Sequence, residues 1–156
     1  MTIYRGVKVF HELMTTAIRD RAKVMIKPII GIGYPKILAE YLKSIDKSSP
    51  VLAIVPKVLH RQFLSGVEDP NGIDLTTPEM AVKMFENANI PTYQTLIVEV
   101  FRPSDRQCEV IRDLVDVCDK VILIVHPSLR DEHYAKLVNQ VDYRLMIYED
   151  GSVSAW

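Results

Sequence analysis

Two short segments carry side chains whose types and spacing could do chemistry. Pro56-Lys57-Val58-Leu59-His60-Arg61 sets three potential cations just after Val51 to Val55, an apolar run that reads as a short buried strand. Open α/β sheets place binding groups at such strand ends. Lys57 could there offset charge developing on a phosphoryl group while His60 and Arg61 hold flanking phosphates. An ordinary solvated basic turn has the same composition. On the helix predicted from Pro78, residues Glu79, Lys83 and Glu86 stand at i, i+4 and i+7, opposite the apolar stripe Ala81, Met84, Phe85 and Ala88. Phosphodiester hydrolysis needs a carboxylate to bind Mg2+ or deprotonate water, and a cation near the scissile phosphate; this face offers both. Glu-Lys pairs at that spacing are also the common solvated face of a helix.

Other candidates are weaker. Glu99 is set in an otherwise apolar run, on the face of Ile97 and Phe101 under strict alternation. A buried carboxyl needs a partner, and Arg102 is near in sequence, so a structural ion pair is the plain reading. His126-Pro127 follows Val121 to Val125, but His133 is seven residues on, off metal-ligand spacing, so His126 reads as a satisfied or exposed histidine. Gly31-Ile32-Gly33-Tyr34-Pro35 could offer backbone amides to a phosphate. The third glycine of the dinucleotide fingerprint and the Gly-Lys-Ser/Thr of the P-loop are missing, which leaves a plain strand-to-helix turn. No Gly-x-Ser-x-Gly elbow, HExxH or aromatic-interleaved basic stretch is present.

The elements that must position these groups follow from periodicity. Residues 7 to 21 have helical spacing of apolar side chains, and Val24 to Ile32 is a β-rich run that Pro28 turns into an edge strand or a bend. A helix opens at Pro35, residues 57 to 64 make one or two helical turns, and Ser65 to Thr76, with Asn71-Gly72, reads as the longest loop. Thr77 caps the helix of Pro78, Tyr93 to Phe101 is a long strand, and Ser104 with Gln107 forms a capping box for the next helix. Val121 to Val125 is a buried strand, Ser128 with Asp131 caps a helix to about Val138, and Tyr143 to Tyr148 is a strand with which Val153 to Trp156 could form a hairpin. Four or five strands interleaved with helices imply a single domain over residues 1–156, a mixed β-sheet flanked by helices.

Composition supports a folded chain: of 156 residues, 48% are hydrophobic and 25% charged, far from the signature of disorder. Cys108 and Cys118 fall in one predicted helix, about 15 Å apart at 1.5 Å per residue, too far for a disulfide. No apolar run approaches the roughly 18 residues of a membrane span, and the start lacks a signal-peptide pattern, so an intracellular protein is expected. The net charge of −1 divides unevenly: residues 1 to 62 carry 11 Lys/Arg against 4 Asp/Glu, or +7, and the remainder carries 8 against 16, or −8. A basic surface that holds a polyanion beside metal-holding carboxylates would look like this, as would two halves whose charges neutralise one another.

Over its whole length, anchored on Lys57 in Pro56-Lys57-Val58 and Glu86 in Met84-Phe85-Glu86-Asn87, the chain resembles the orphan nuclease proteins of lipothrixviruses, filamentous viruses of crenarchaea. The resemblance implies an α+β fold remotely like the nucleotidyltransferases, linear double-stranded DNA as substrate, the host cytoplasm as location, and Glu86 as the essential carboxylate. Lys57 would join Glu86 in catalysis, His60, Arg61 and Lys83 would bind substrate, and Glu86 with Glu79 would hold Mg2+. A homodimer stays open. Standard nucleotidyltransferase and nuclease motifs are absent from the chain. The alternatives are a noncatalytic nucleic-acid-binding regulator and a nucleotide-dependent transferase, in which Gly31, Gly33 and Glu99 would matter more.

Overall fold

Strands that read as unbroken apolar runs, without polar alternation, belong to sheets covered on both faces. Val51–Ile54, Thr95–Val100 and Lys120–Val125 are such runs, and all their residues except Lys120 are buried. The structure, a computed structural model, describes residues 2–5, 23–28, 50–65, 72–87, 93–126, 129–147 and 152–155. The helix expected over residues 7 to 21, the turn Gly31 to Pro35 and the helix that Pro35 would open lie outside them.

Among the described residues the chain order is β1 (Thr2–Arg5), β2 (Lys23–Pro28), β3 (Val51–Ile54), a 3-10 turn (Lys57–Leu59), α1 (His60–Ser65), β4 (Ile73–Thr76), α2 (Pro78–Glu86), β5 (Thr95–Val100), α3 (Asp105–Val117), β6 (Lys120–Val125), α4 (Asp131–Val138), β7 (Tyr143–Ile147) and β8 (Ser152–Ala155). The strands form one sheet in the order β4-β3-β5-β6-β2-β7-β8-β1. The first six of these run parallel, and β8 and β1 add antiparallel at one edge. The expected mixed sheet with helices against it is therefore present, with eight strands rather than four or five.

Right-handed crossovers determine where the helices lie. The connections β4 to β5, β5 to β6 and β6 to β7 all step the same way along the sheet, which puts α2, α3 and α4 on one face. Register confirms it: Ile54, Val98, Leu123 and Met25 form one row across four strands and share a core with Ala81, Ile111, Leu114, Val115 and Leu137 of those helices. Each of these side chains larger than alanine contributes about 1.5–3 kcal/mol by its burial. The step from β3 to β4 goes the other way, so α1, with buried Phe63, belongs to the opposite face. Both cysteines are buried and free. No described helix is long and apolar enough to cross a membrane.

Local capping chemistry behaves as the sequence implies. Thr77 accepts a hydrogen bond from the Met80 amide with Pro78 in the first turn, and Ser104 and Gln107 complete a reciprocal capping box at α3. Three expectations are corrected. The segment of the longest expected loop contains β4, a parallel edge strand entered through Gly72 at φ 83°, a left-handed value that suits glycine. β2 is not an edge strand but lies between β6 and β7; Pro28 is its last residue, where a missing amide costs little of the ladder. α4 ends at Val138 as expected, but its N-cap is Arg130, without a side-chain cap, in place of Ser128.

The edge strand is tied down by Tyr93, whose hydroxyl donates to Asp74 Oδ2 at 2.6 Å. Burial, reinforced by this bond to a carboxylate, pushes the phenol up to about 12. The folded value lies above the unfolded one of about 10, so the stability it supplies is complete below pH 10 and is lost as pH rises through 12. Tyr93→Phe should cost about 1 kcal/mol at neutral pH and should flatten the fall in stability between pH 10 and 12, measured by denaturant unfolding. An unchanged alkaline profile would contradict the assignment.

Candidate functional site

All six parallel strands point their C-terminal ends to one edge of the sheet. The connection after β3 leaves for one face and the connection after the neighbouring β5 leaves for the other, which opens a crevice between them, the usual ligand position in open α/β sheets. A cavity of about 70 Å³ lies there. Pro56 lines it from beyond β3, Glu99 to Pro103 from the end of β5, Pro78 and Glu79 from the start of α2, and Gln107 and Ile111 from α3.

Glu99 is the acid at the centre of this edge. Its side chain is 1% exposed, and its Oε2 lies 3.2 Å from Nε2 of His126. Alternation along β5 sends Leu96, Val98 and Val100 into the core with α2 to α4, and therefore Glu99 to the opposite face, with Ile97 as expected. His126 is fixed because its amide donates to the Val100 carbonyl at 3.0 Å, extending the β5-β6 ladder by one residue. Phe101 packs edge-on against the imidazole, with ring centroids 5.5 Å apart. The expected partner, Arg102, instead lies over the Phe101 ring at 5.2 Å. A buried acid beside an imidazole can accept a proton from a water molecule or direct its lone pairs to a cation.

The residues singled out from the sequence do not all gather here. Glu79 lines the cavity, and Glu86 does not. Glu86 is half exposed and pairs with Arg106 at 3.3 Å, an arginine that also holds Glu109 at 3.1 Å and lies over Phe85. Lys83 is exposed on α2. Lys57 and Arg61 are exposed beside the end of β3, next to Pro56 but outside the cavity lining. His60 donates through Nε2 to the Val55 carbonyl at 2.7 Å, which ties the start of α1 to the strand end.

A second group lies at the starts of α3 and α4. Asp105, Glu132 and His133 place one donor atom each within 4.8 Å of one another, a set that could hold a metal ion. His133 is fully buried and donates through Nε2 to Asp105 Oδ1 at 2.8 Å. That bond, chiefly, holds the Asp105 carboxyl below its usual range. The sequence had no signal for the group, because 28 residues separate Asp105 from His133. The same holds for Glu99 and His126, which are 27 apart.

No known family and no curated protein matches this chain. Solved structures do. The VirB11 ATPase of the Brucella suis type IV secretion system, solved with sulphate, superposes at TM-score 0.62 with 8% identity, over 96% of this chain and 53% of that one. The Hef helicase domain of Pyrococcus furiosus superposes at 0.63 with 9% identity, over 90% of this chain and 36% of that one. The chain thus spans about half or less of the length of these proteins. The fold is one shared with an ATPase and a helicase domain. This overturns the expectation, drawn from the resemblance to the lipothrixvirus proteins, of a remotely nucleotidyltransferase-like nuclease cleaving linear double-stranded DNA through Glu86.

If Glu99 is kept for chemistry rather than for stability, its replacement by an apolar side chain of similar size should be tolerated. Glu99→Met should unfold within about 1 kcal/mol of wild type, or at higher denaturant, whereas His126→Ala, which leaves the acid buried without its imidazole, should cost about 2 kcal/mol or more. Equal, large losses in both variants would make the pair a structural one.

Proposed function

We propose that the chain is a nucleotide-binding domain of the ATPase type, which takes the phosphate end of a nucleoside triphosphate at the C-terminal edge of its parallel sheet. The observation that carries this reading is the buried Glu99 carboxyl at the end of β5, held by His126 of the adjacent strand beside the crevice cavity. The likeness in fold to an ATPase and a helicase domain supports it.

In this reading Glu99 accepts the proton of the water that attacks the terminal phosphate, and His126 positions the acid. Lys57, on the turn beyond β3, offsets phosphate charge, with Arg61 near it. Glu79 lines the cavity and is a hard oxygen donor of the kind Mg2+ takes. Mg2+ held by it would neutralise phosphate charge. A second reading, binding without turnover, is favoured by one feature: the segment that follows β2, Gly31-Ile32-Gly33-Tyr34-Pro35-Lys36, lacks Gly-Lys-Ser/Thr.

ATP with Mg2+ at about 100 times its Kd should stabilise the protein by roughly 2.7 kcal/mol, or about 5–10 °C in Tm. Glu99→Gln should keep that stabilisation and lower phosphate release by at least ~100-fold. Stabilisation without phosphate release from the wild-type protein selects the second reading; absence of stabilisation by any nucleoside triphosphate sinks both.

Double-stranded DNA is proposed as a partner on charge alone, from the +7 of residues 1 to 62. Its affinity should fall steeply between low and physiological salt as counterions are released. A flat salt dependence removes this partner.

A further inference from the structure

A buried imidazole with only one of its two nitrogens in use calls for a reason. His133 is wholly buried, and its Nδ1 has no hydrogen-bond partner among the described residues. The other nitrogen, Nε2, emerges between two exposed carboxyl groups, Asp105 of α3 and Glu132 beside it on α4. Nothing in the nucleotide reading uses this group, which belongs to the helices on one face of the sheet, whereas the Glu99 side chain points to the other.

We propose that Asp105, Glu132 and His133 form a transition-metal site that clamps the first turn of α3 to the first turn of α4. An imidazole with two carboxylates suits Zn2+, Mn2+ or Co2+ better than Mg2+ or Ca2+, which take oxygen donors alone. Zinc-ligand distances of about 2.0–2.2 Å place any two ligands no more than about 4.4 Å apart. The present span of 4.8 Å must therefore close slightly. The carboxyl groups can move to do so, being 77% and 53% exposed. Three protein ligands leave at least one position for water.

Three features set the strength of the site. Binding at Nε2 removes its proton, and in the neutral ring the proton then resides on Nδ1, where no described acceptor meets it. An imidazole without that outer hydrogen bond binds metal about 10- to 100-fold more weakly than one that has it. The N-termini of α3 and α4 add partial positive charge, which the two carboxylates offset. Arg130 pairs with Glu132 and must release it, so it competes with the metal.

The test titrates metal-free protein with Co2+, followed by its visible absorption, and with Zn2+ by calorimetry, both without nucleotide, so that failure here leaves the nucleotide reading untouched. One ion per chain is expected, without the near-ultraviolet charge-transfer band that a thiolate of Cys108 or Cys118 would give. Asp105→Asn and Glu132→Gln, both exposed and so expected to fold, should each weaken binding by about 10-fold or more, and Arg130→Ala should tighten it. A thiolate band, no saturable binding, or an affinity unchanged in all three variants would overturn the site.

Discussion

The structure depends on one constraint: a parallel sheet buries the backbone of its central strands on both faces and so must be covered by its own crossover connections. That requirement explains the nearly uniform burial of β3, β5 and β6. It also sends every strand's C-terminal end to the same edge, where connections that diverge to opposite faces leave a gap. A polar group in the middle of such a strand would be costly. Glu99 is tolerated because it stands one residue from the end of β5, where the imidazole of the neighbouring strand reaches it.

Much of the local structure was legible, because its causes are local. Thr77 before Pro78 and the Ser104-Gln107 pair each satisfy backbone amides within one turn, and both caps form as read. Val51, Tyr93, Val121 and Tyr143 each begin stretches whose apolar content alone marks a strand. What escaped was non-local. β4 carries Asp74 and directly follows a turn, so in sequence it looks like loop; it is a strand because β3 lies beside it to complete the ladder. β2 looked like an edge because proline excludes ladder bonds, but the proline falls on its last residue and the strand lies within the sheet.

The candidate site moved for the same reason. Spacing along one helix drew attention to Glu79, Lys83 and Glu86, since helical neighbours can be read from sequence. In the structure Glu86 forms an exposed ion pair with Arg106, an arrangement worth about 0–1 kcal/mol. Glu99 and His126 each read as unremarkable alone and become a pair only when β5 and β6 lie side by side. Glu79 reaches the same cavity because α2 begins at that edge. The shift from a helix face to a strand edge accompanies the shift from nuclease to the fold of an ATPase and a helicase domain.

The central claim, that phosphates bind at the C-terminal edge of the parallel sheet, is tested most directly by backbone hydrogen exchange with and without a nonhydrolysable ATP analogue and Mg2+. The account predicts added protection in residues 55–60, 99–107 and 125–126, where the ends of β3, β5 and β6 meet the starts of α1 and α3. Protection confined to the opposite edge, around residues 93–95 and 118–121, or no change anywhere at saturating analogue, would contradict it.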